Sequence, residues 1–129
     1  MSNQGDLDNT NYDGLMQANL KRVFGEHDAK LRLKAIREIY IEDAVLYEPQ
    51  SSATGHEAIS VAVTALLDSL PPNFVFTAEG PALGHHGTGR LRWRSGPPNG
   101  PVAVSGMDVA QFERGRIRSL YVFIEPART

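Results

Sequence analysis

The alternating run that most constrains the fold is Val102-Ala103-Val104-Ser105-Gly106-Met107-Asp108-Val109-Ala110-Gln111-Phe112. A two-residue period is typical of a strand with one face in the core. On that period Asp108 shares a face with Val102, Val104, Ala110 and Phe112. A carboxylate among apolar neighbours is costly to keep charged, so it is usually paired, protonated or functional. Asp108 is therefore our first candidate for a functional residue.

A second acid, Glu48, ends another short apolar stretch. Alternation over residues 44–48 places Leu46 and Glu48 on one face. Pro49 follows and favours an extended backbone at Glu48, which ends the strand there. Two carboxyl groups directed inward in a chain of 129 residues predict a polar centre inside an apolar pocket.

Three helices are predicted before the strand-rich part of the chain. Apolar residues recur at helical spacing in two segments: Met16, Leu20, Val23 and Phe24 in the first, and Leu31, Ala35, Ile36, Ile39 and Tyr40 in the second. The third helix starts at a capping box, with Thr54 as the cap and Glu57 reaching back to it. Its apolar stripe consists of Ile59, Ala62, Val63, Leu66 and Leu70.

The remaining sequence predicts strands over residues 74–78, 85–95, 102–112 and 117–124, separated by turn residues. Helices followed by an antiparallel meander indicate an α+β domain. Residues 1–12 are polar and rich in Asn, Asp and Gly, which predicts a disordered tail. We therefore expect a single domain over residues 13–126.

Three stretches, residues 35–49, 55–59 and 106–117, carry a resemblance to a known family. In them, and in its order of helices and strands, the chain resembles the nuclear transport factor 2-like superfamily, in particular its ketosteroid isomerase and SnoaL-like polyketide cyclase branches. The resemblance implies a cone-shaped NTF2-like fold, with three N-terminal helices packed on a curved antiparallel sheet. The superfamily includes both enzymes and non-enzymes, so the fold alone does not imply a reaction.

The resemblance also implies catalytic roles for the two acids. Glu48 occupies the place of the family's general base, and Asp108 that of the aspartic acid that donates a hydrogen bond to a developing oxyanion. The family's oxyanion tyrosine belongs near residues 22–24, where this chain has none. The implied activity is that of a cofactor-free isomerase or aldol-type cyclase, which transfers a proton next to a carbonyl of a small apolar substrate. The alternatives are a non-catalytic module that binds a small hydrophobic ligand and a dimerisation module.

The strand predicted over residues 85–95 has two chemically different faces. Alternation directs His85 inward, unless a bulge at the neighbouring glycines shifts the register. His85 would then be a third catalytic group, a proton shuttle or a ligand for a substrate oxygen, or simply a structural histidine. The other face carries Arg90, Arg92 and Arg94. They indicate a solvated surface, salt bridges at a dimer interface, or an anion site.

The inward faces of the strands and helices predict the wall of the pocket, since curved sheets capped by helices often enclose a cavity. We expect the ligand-binding residues to be Phe24, Val63, Phe76, Leu91, Trp93, Val104, Leu120 and Ile124. The opposite face of the last strand is apolar, with Ile117, Tyr121 and Phe123. It predicts a homodimer that forms through the outer face of the sheet.

Composition excludes several classes of function. The net charge of −2 and the lack of a Lys/Arg block argue against nucleic-acid binding. Cysteine is absent, and the four histidines show no ligand spacing, so we expect neither a metal site nor a cofactor. The N-terminus does not read as a signal peptide, and no apolar run approaches the ~20 residues that span a bilayer. We therefore expect a cytoplasmic protein that does not associate with membranes.

Overall fold

The computed structural model describes residues 9–125, which form three α-helices, one π-helical segment and seven strands. The helices are α1 (Tyr12–Ala18), α2 (Ala29–Ile39) and α3 (His56–Asp68), and the π-helical segment (Asn19–Phe24) continues directly from α1. The strands are β1 (Tyr40–Glu48), β2 (Ser51–Thr54), β3 (Val75–Ala78), β4 (Leu83–His85), β5 (Thr88–Gly96), β6 (Val104–Glu113) and β7 (Arg116–Glu125).

The sheet has the order β2-β1-β7-β6-β5-β3, and β4 pairs with β5 beside β3. Neighbouring strands are antiparallel except β1 and β7, which run parallel. The predicted α+β, NTF2-like cone is thus confirmed, with three helices packed against a curved, unclosed sheet that is mixed because of the β1–β7 pair. Buried apolar side chains of the helices and strands form one core between the two layers.

The first helix starts earlier than the sequence predicts. The Asn11 side chain caps α1 by accepting a hydrogen bond from the Gly14 N–H at 3.0 Å. Tyr12 is buried, and its hydroxyl accepts a hydrogen bond from the Gly87 N–H at 2.8 Å. The predicted tail over residues 1–12 is therefore too long at its C-terminal end. Its residues 1–8, and the domain end predicted at residue 126, lie outside the described residues.

The predicted capping box of the third helix is wrong. Thr54 ends β2, and Gly55 precedes the helix with a φ of 93° and no side-chain cap. His56, the first residue of α3, instead lies 3.0 Å and 2.8 Å from the carbonyl oxygens of Tyr40 and Ile41 through its Nε2. Because carbonyl oxygens only accept, Nε2 carries the hydrogen, and this side chain ties the start of α3 to β1.

The second helix buries an arginine that the apolar spacing did not predict. Leu31, which we placed on the apolar face, is 56% exposed, whereas Arg32 is 1% exposed. The Arg32 guanidinium donates to the Ser60 carbonyl oxygen at 3.0 Å and to Thr64 Oγ1 at 2.6 Å, both on α3. Since five donors are available in a fixed fork, this one side chain links the two helices and satisfies its own hydrogen-bonding needs.

The alternation of β6 is as predicted from Val104 onward, with Asp108, Ala110 and Phe112 directed inward. The last strand, β7, does not follow its predicted alternation throughout. Gln111 pairs with Ser119, and the next residue, Phe112, pairs with Ile117, so a bulge shifts the register of β7 at this point. Ile117 is consequently fully buried, and its predicted place on the outer face is wrong.

Candidate active site

A cavity of about 160 Å³ lies between the helices and the sheet. Eleven residues from the π-helical segment, α3, its following turn and five strands line it: Leu20, Phe24, Glu48, Leu66, Leu70, Phe76, Trp93, Val104, Asp108, Val122 and Ile124. Nine of these side chains are aliphatic or aromatic, and the other two are acids. Ile124 is 48% exposed, which places the mouth of the cavity at the end of β7.

Asp108 is the buried acid of this cavity. It lies in the middle of β6, between Leu91 of β5 and Val122 of β7, and is 2% exposed. Its Oδ1 accepts a hydrogen bond from Trp93 Nε1 at 2.9 Å, and no ion pair within residues 9–125 includes it. Burial raises the pKa of Asp108 from 3.8 to about 7, against the opposing effect of the Trp93 hydrogen bond. Near neutral pH a large fraction of Asp108 therefore carries a proton that it can donate.

Glu48 is the more accessible acid. It ends β1 on the same face as the buried Leu46, as the alternation predicts, and is half-buried. Partial burial raises the pKa of Glu48 above 4.5, and a 3.5 Å hydrogen bond from Ser51 Oγ opposes that effect. Two acids of one cavity thus have different surroundings. Such a difference is how a single site can hold one carboxyl group ionised and the other protonated.

Aromatic rings form one continuous part of the cavity wall. The ring centroids of Phe24 and Phe76 are 6.5 Å apart, and those of Phe76 and Trp93 are 5.6 Å apart. Phe24 comes from the π-helical segment, and the other two come from the paired strands β3 and β5. Because π-helical segments are frequently found at functional sites, the position of Phe24 fits a wall that is shaped for a ligand.

The structure divides the eight predicted ligand-binding residues. Five of them line the cavity: Phe24, Phe76, Trp93, Val104 and Ile124. The other three need correction, because Val63, Leu91 and Leu120 are fully buried in the core and do not line it. Alternation gives the inward face of a strand but not the part of that face that the helices leave uncovered. Four further lining residues were not predicted to belong to the site: Leu20, Leu66, Leu70 and Val122.

His85 does not face the interior, and this prediction needs correction. The residue is exposed at the end of β4, and it is not among the residues that line the cavity. His86 and Gly87 have φ values of 52° and 80° and form a two-residue hairpin loop between β4 and β5, which ends the strand that we predicted to continue. The two histidines contact each other instead, with their Nδ1 atoms 2.9 Å apart.

The outer face of the sheet carries charged and apolar side chains. Arg92 lies 3.5 Å from Glu125 and Arg94 lies 3.7 Å from Glu79, so two of the three predicted arginines form exposed ion pairs within the chain. The rings of Tyr47 and Tyr121 stack at 4.6 Å, and Phe123 is 55% exposed. A homodimer through this face stays a prediction, and Ile117 would not belong to the interface.

Over residues 9–125, no group of three side chains is arranged to bind a metal ion. The same residues include no helix with the length and apolar character that a membrane span requires.

Known proteins resemble this chain in sequence pattern and in fold. A provisionally assigned isomerase of the SnoaL-like family from Agrobacterium tumefaciens has a TM-score of 0.81 at 23% identity, over 88% of this chain and 97% of that one. IdmH, a provisionally assigned polyketide cyclase from Streptomyces antibioticus, has a TM-score of 0.67 at 15% identity, over 89% and 92%. A provisionally assigned ketosteroid isomerase from Kribbella flavida has a TM-score of 0.68 at 12% identity, over 92% and 80%.

At these identities the structural likeness shows the fold alone. No curated protein sequence matches the chain. The sequence profile of the SnoaL-like domain, however, matches residues 20–120. This span includes Glu48 and Asp108 and all but two of the residues that line the cavity, Val122 and Ile124. The chain belongs to the SnoaL-like domain family.

Proposed function

We propose that this protein is a cofactor-free isomerase or aldol-type cyclase that transfers a proton next to a carbonyl of a small apolar substrate. The observation that carries the proposal is the placement of two acids, Glu48 and Asp108, in a cavity whose other walls are apolar. Neither acid has an ion-pair partner within residues 9–125 that would explain its position as structural. An acid kept in such a wall without a counter-ion costs stability, and function is the usual reason to retain it.

The two acids have complementary roles in this proposal. The Glu48 carboxylate takes a proton from the carbon next to the carbonyl, and the C–H electron pair becomes the C=C bond of an enolate. Negative charge develops on the carbonyl oxygen, which accepts a hydrogen bond from protonated Asp108. An isomerase would return the proton from Glu48 to another carbon of the conjugated system. A cyclase would let the enolate carbon attack a second carbonyl of the same substrate.

The surroundings of each acid suit its role. Glu48 is nearer to solvent, so burial opposes its ionisation less than it opposes that of Asp108, and Glu48 is the better candidate for the base. General acid–base catalysis of this kind contributes about 10²- to 10⁴-fold to a rate. Loss of an oxyanion donor typically costs about 10²- to 10³-fold. The names of the isomerase and cyclase relatives favour the same class of chemistry.

The second candidate function is binding of a small hydrophobic molecule without catalysis. The apolar lining and the aromatic wall favour it, because they would hold a ligand whether or not the acids act. The two functions differ in what they require of Glu48. A pure binding site has no need of a base, so Glu48→Gln should leave binding intact, whereas the proposed enzyme should lose turnover.

Proton exchange tests the proposal directly. A cavity of about 160 Å³ suits a single six-membered ring, since an engineered apolar cavity of similar size holds benzene. Cyclohexanone and 3-cyclohexen-1-one are therefore suitable probes, with exchange of their α-protons in D₂O followed by NMR. We expect the wild type to accelerate exchange, and Glu48→Gln and Asp108→Asn each to lose at least about tenfold of it.

The exposed acids Glu42 and Asp43, on the same strand as Glu48, provide matched controls. Glu42→Gln and Asp43→Asn should exchange protons at the wild-type rate. Equal rates in the wild type, Glu48→Gln and Asp108→Asn would contradict the proposal. Saturable binding of the same ketones without acceleration would favour the non-catalytic function.

A further inference from the structure

The single tryptophan of the chain, Trp93, donates a hydrogen bond to the buried acid Asp108. Trp93 Nε1 lies 2.9 Å from Asp108 Oδ1, and this is the one side-chain hydrogen bond that the buried acid forms within residues 9–125. An indole N–H is only a donor and does not titrate, so it requires an acceptor at Oδ1 in every state of the acid. In a protonated carboxyl group the carbonyl oxygen is the better acceptor. The hydrogen bond therefore favours Oδ1 as the carbonyl oxygen and Oδ2 as the oxygen that carries the proton.

A glycine of the adjoining strand makes room for the indole. Gly106 of β6 pairs with Trp93 of β5, two residues before Asp108. A Cβ atom at Gly106 would lie 2.4 Å from Trp93 Cζ2 and 2.4 Å from the Phe123 carbonyl oxygen. Only the absence of a side chain at this position lets the ring lie against the strand. The indole also lies against the Phe76 ring, with the ring centroids 5.6 Å apart.

We propose that Trp93 is a positioning residue that fixes the Asp108 proton on Oδ2 and thereby prepares the acid to donate to a substrate oxygen. The kinetic effect of this inference rests on the proposed function. The hydrogen bond between Trp93 and Asp108 does not depend on that function. The proposed role differs from simply lining the cavity, because a residue that only lines the cavity would need the indole ring but not its N–H.

Few other titratable groups act on Asp108. Glu48 is the other ionisable residue that lines the cavity. Tyr40, fully buried with its hydroxyl 2.5 Å from Asn19 Oδ1, is near enough for the Asp108 charge to contribute to its raised pKa. The residues paired with Asp108 on β5 and β7, Leu91 and Val122, are apolar. The Trp93 N–H is therefore the polar contact whose removal should change the proton affinity of Asp108 most.

Replacement of the indole N–H without change of shape tests the inference. Because Trp93 is the only tryptophan, biosynthetic incorporation of β-(3-benzothienyl)alanine exchanges this N–H for sulfur and leaves every other residue unchanged. The Asp108 carboxyl carbon, labelled with ¹³C, reports its titration by NMR without any need for a substrate. We expect the midpoint to move upward by about one pH unit in the analogue protein, because the charged form loses its hydrogen bond. Trp93→Phe should move it in the same direction.

The kinetic consequence is a separate readout. If the proposed function holds, we expect kcat to fall about tenfold in the analogue protein with little change in KM, because the ring that contacts the substrate is kept. The alkaline limb of the pH–rate profile should move with the midpoint of Asp108. An unchanged Asp108 midpoint in the analogue protein would overturn the inference about Trp93. A shifted midpoint in a protein without exchange activity would retain it and remove the proposed function.

Discussion

Asp108→Asn should remove the pH dependence that the buried acid gives to the stability of this protein. Folding raises the pKa of Asp108 from 3.8 to about 7, so between these values the folded protein holds a proton that the unfolded chain has lost. The contribution of Asp108 to the free energy of unfolding consequently falls as pH rises from about 4 to 7, and it levels off above 7. The pKa difference corresponds to about 4 kcal/mol of lost stability, a large part of the 5–15 kcal/mol that is typical of a domain.

An asparagine keeps an oxygen acceptor for Trp93 Nε1 and cannot ionise. We therefore expect Asp108→Asn and the wild type to be about equally stable at pH 4, and the variant to be more stable by about 4 kcal/mol at pH 8. Urea unfolding at a series of pH values measures both curves, and the difference between them cancels the other titrating groups. Asp43→Asn, at an exposed position, is the control and should follow the wild type.

A constant difference between wild type and Asp108→Asn across pH 4–8 would refute this account of Asp108. A wild type that gains stability relative to the variant as pH rises would refute it more strongly. The first result would mean that folding leaves the pKa of Asp108 unchanged, and the second that folding lowers it. In either case Asp108 is ionised near neutral pH and is not a donor there.

Two further predictions follow from the same site. The rate of α-proton exchange should rise with pH as Glu48 ionises, with a midpoint above 4.5. It should fall again near pH 7, where Asp108 loses its proton. A rate that only rises with pH would contradict the roles assigned to the two acids. Gly106→Ala should lower stability by about 1–3 kcal/mol and change the fluorescence of Trp93, because the new methyl group meets both the indole and the backbone of β7; unchanged melting and emission would show that the contact is not restrictive.

The sequence allowed the inward face of the sheet to be predicted where strands are regular. Asp108 and Trp93 face inward as the two-residue period requires, and Glu48 shares a face with Leu46. This period is a property of the extended backbone, so it needs no knowledge of the neighbouring elements. The order of helices and strands followed from the same kind of pattern, and the resemblance to the NTF2-like superfamily then implied how they pack into a cone.

The predictions from sequence that the structure contradicts failed for specific physical reasons. Ile117 is buried because a bulge shifts the register of β7, and His85 is exposed because His86 and Gly87 form a hairpin loop. Thr54 does not cap α3 because it is paired in β2 with β1. Each of these features depends on a partner strand rather than on the local pattern.

The limits of the cavity could not be read from periodicity either. Leu120 and Val122 lie on the same strand, but only Val122 lines the cavity, because the helices leave that end of the sheet uncovered. Leu20 reaches the cavity from a π-helical segment, whose irregular geometry has no simple spacing in sequence. The residues that line the cavity depend on how completely the helices and the sheet fill the space between them. This packing cannot be predicted from the period of a single strand or helix.

The measurement that tests the central claim most directly is the α-proton exchange rate of the double variant Glu48→Gln/Asp108→Asn, beside each single variant and the wild type. If the two acids act on one proton transfer, the donor has nothing to stabilise once the base is gone. The double variant should then be no slower than Glu48→Gln alone. Losses that multiply would show that the two acids act independently, and exchange at the wild-type rate in all variants would contradict catalysis by this site.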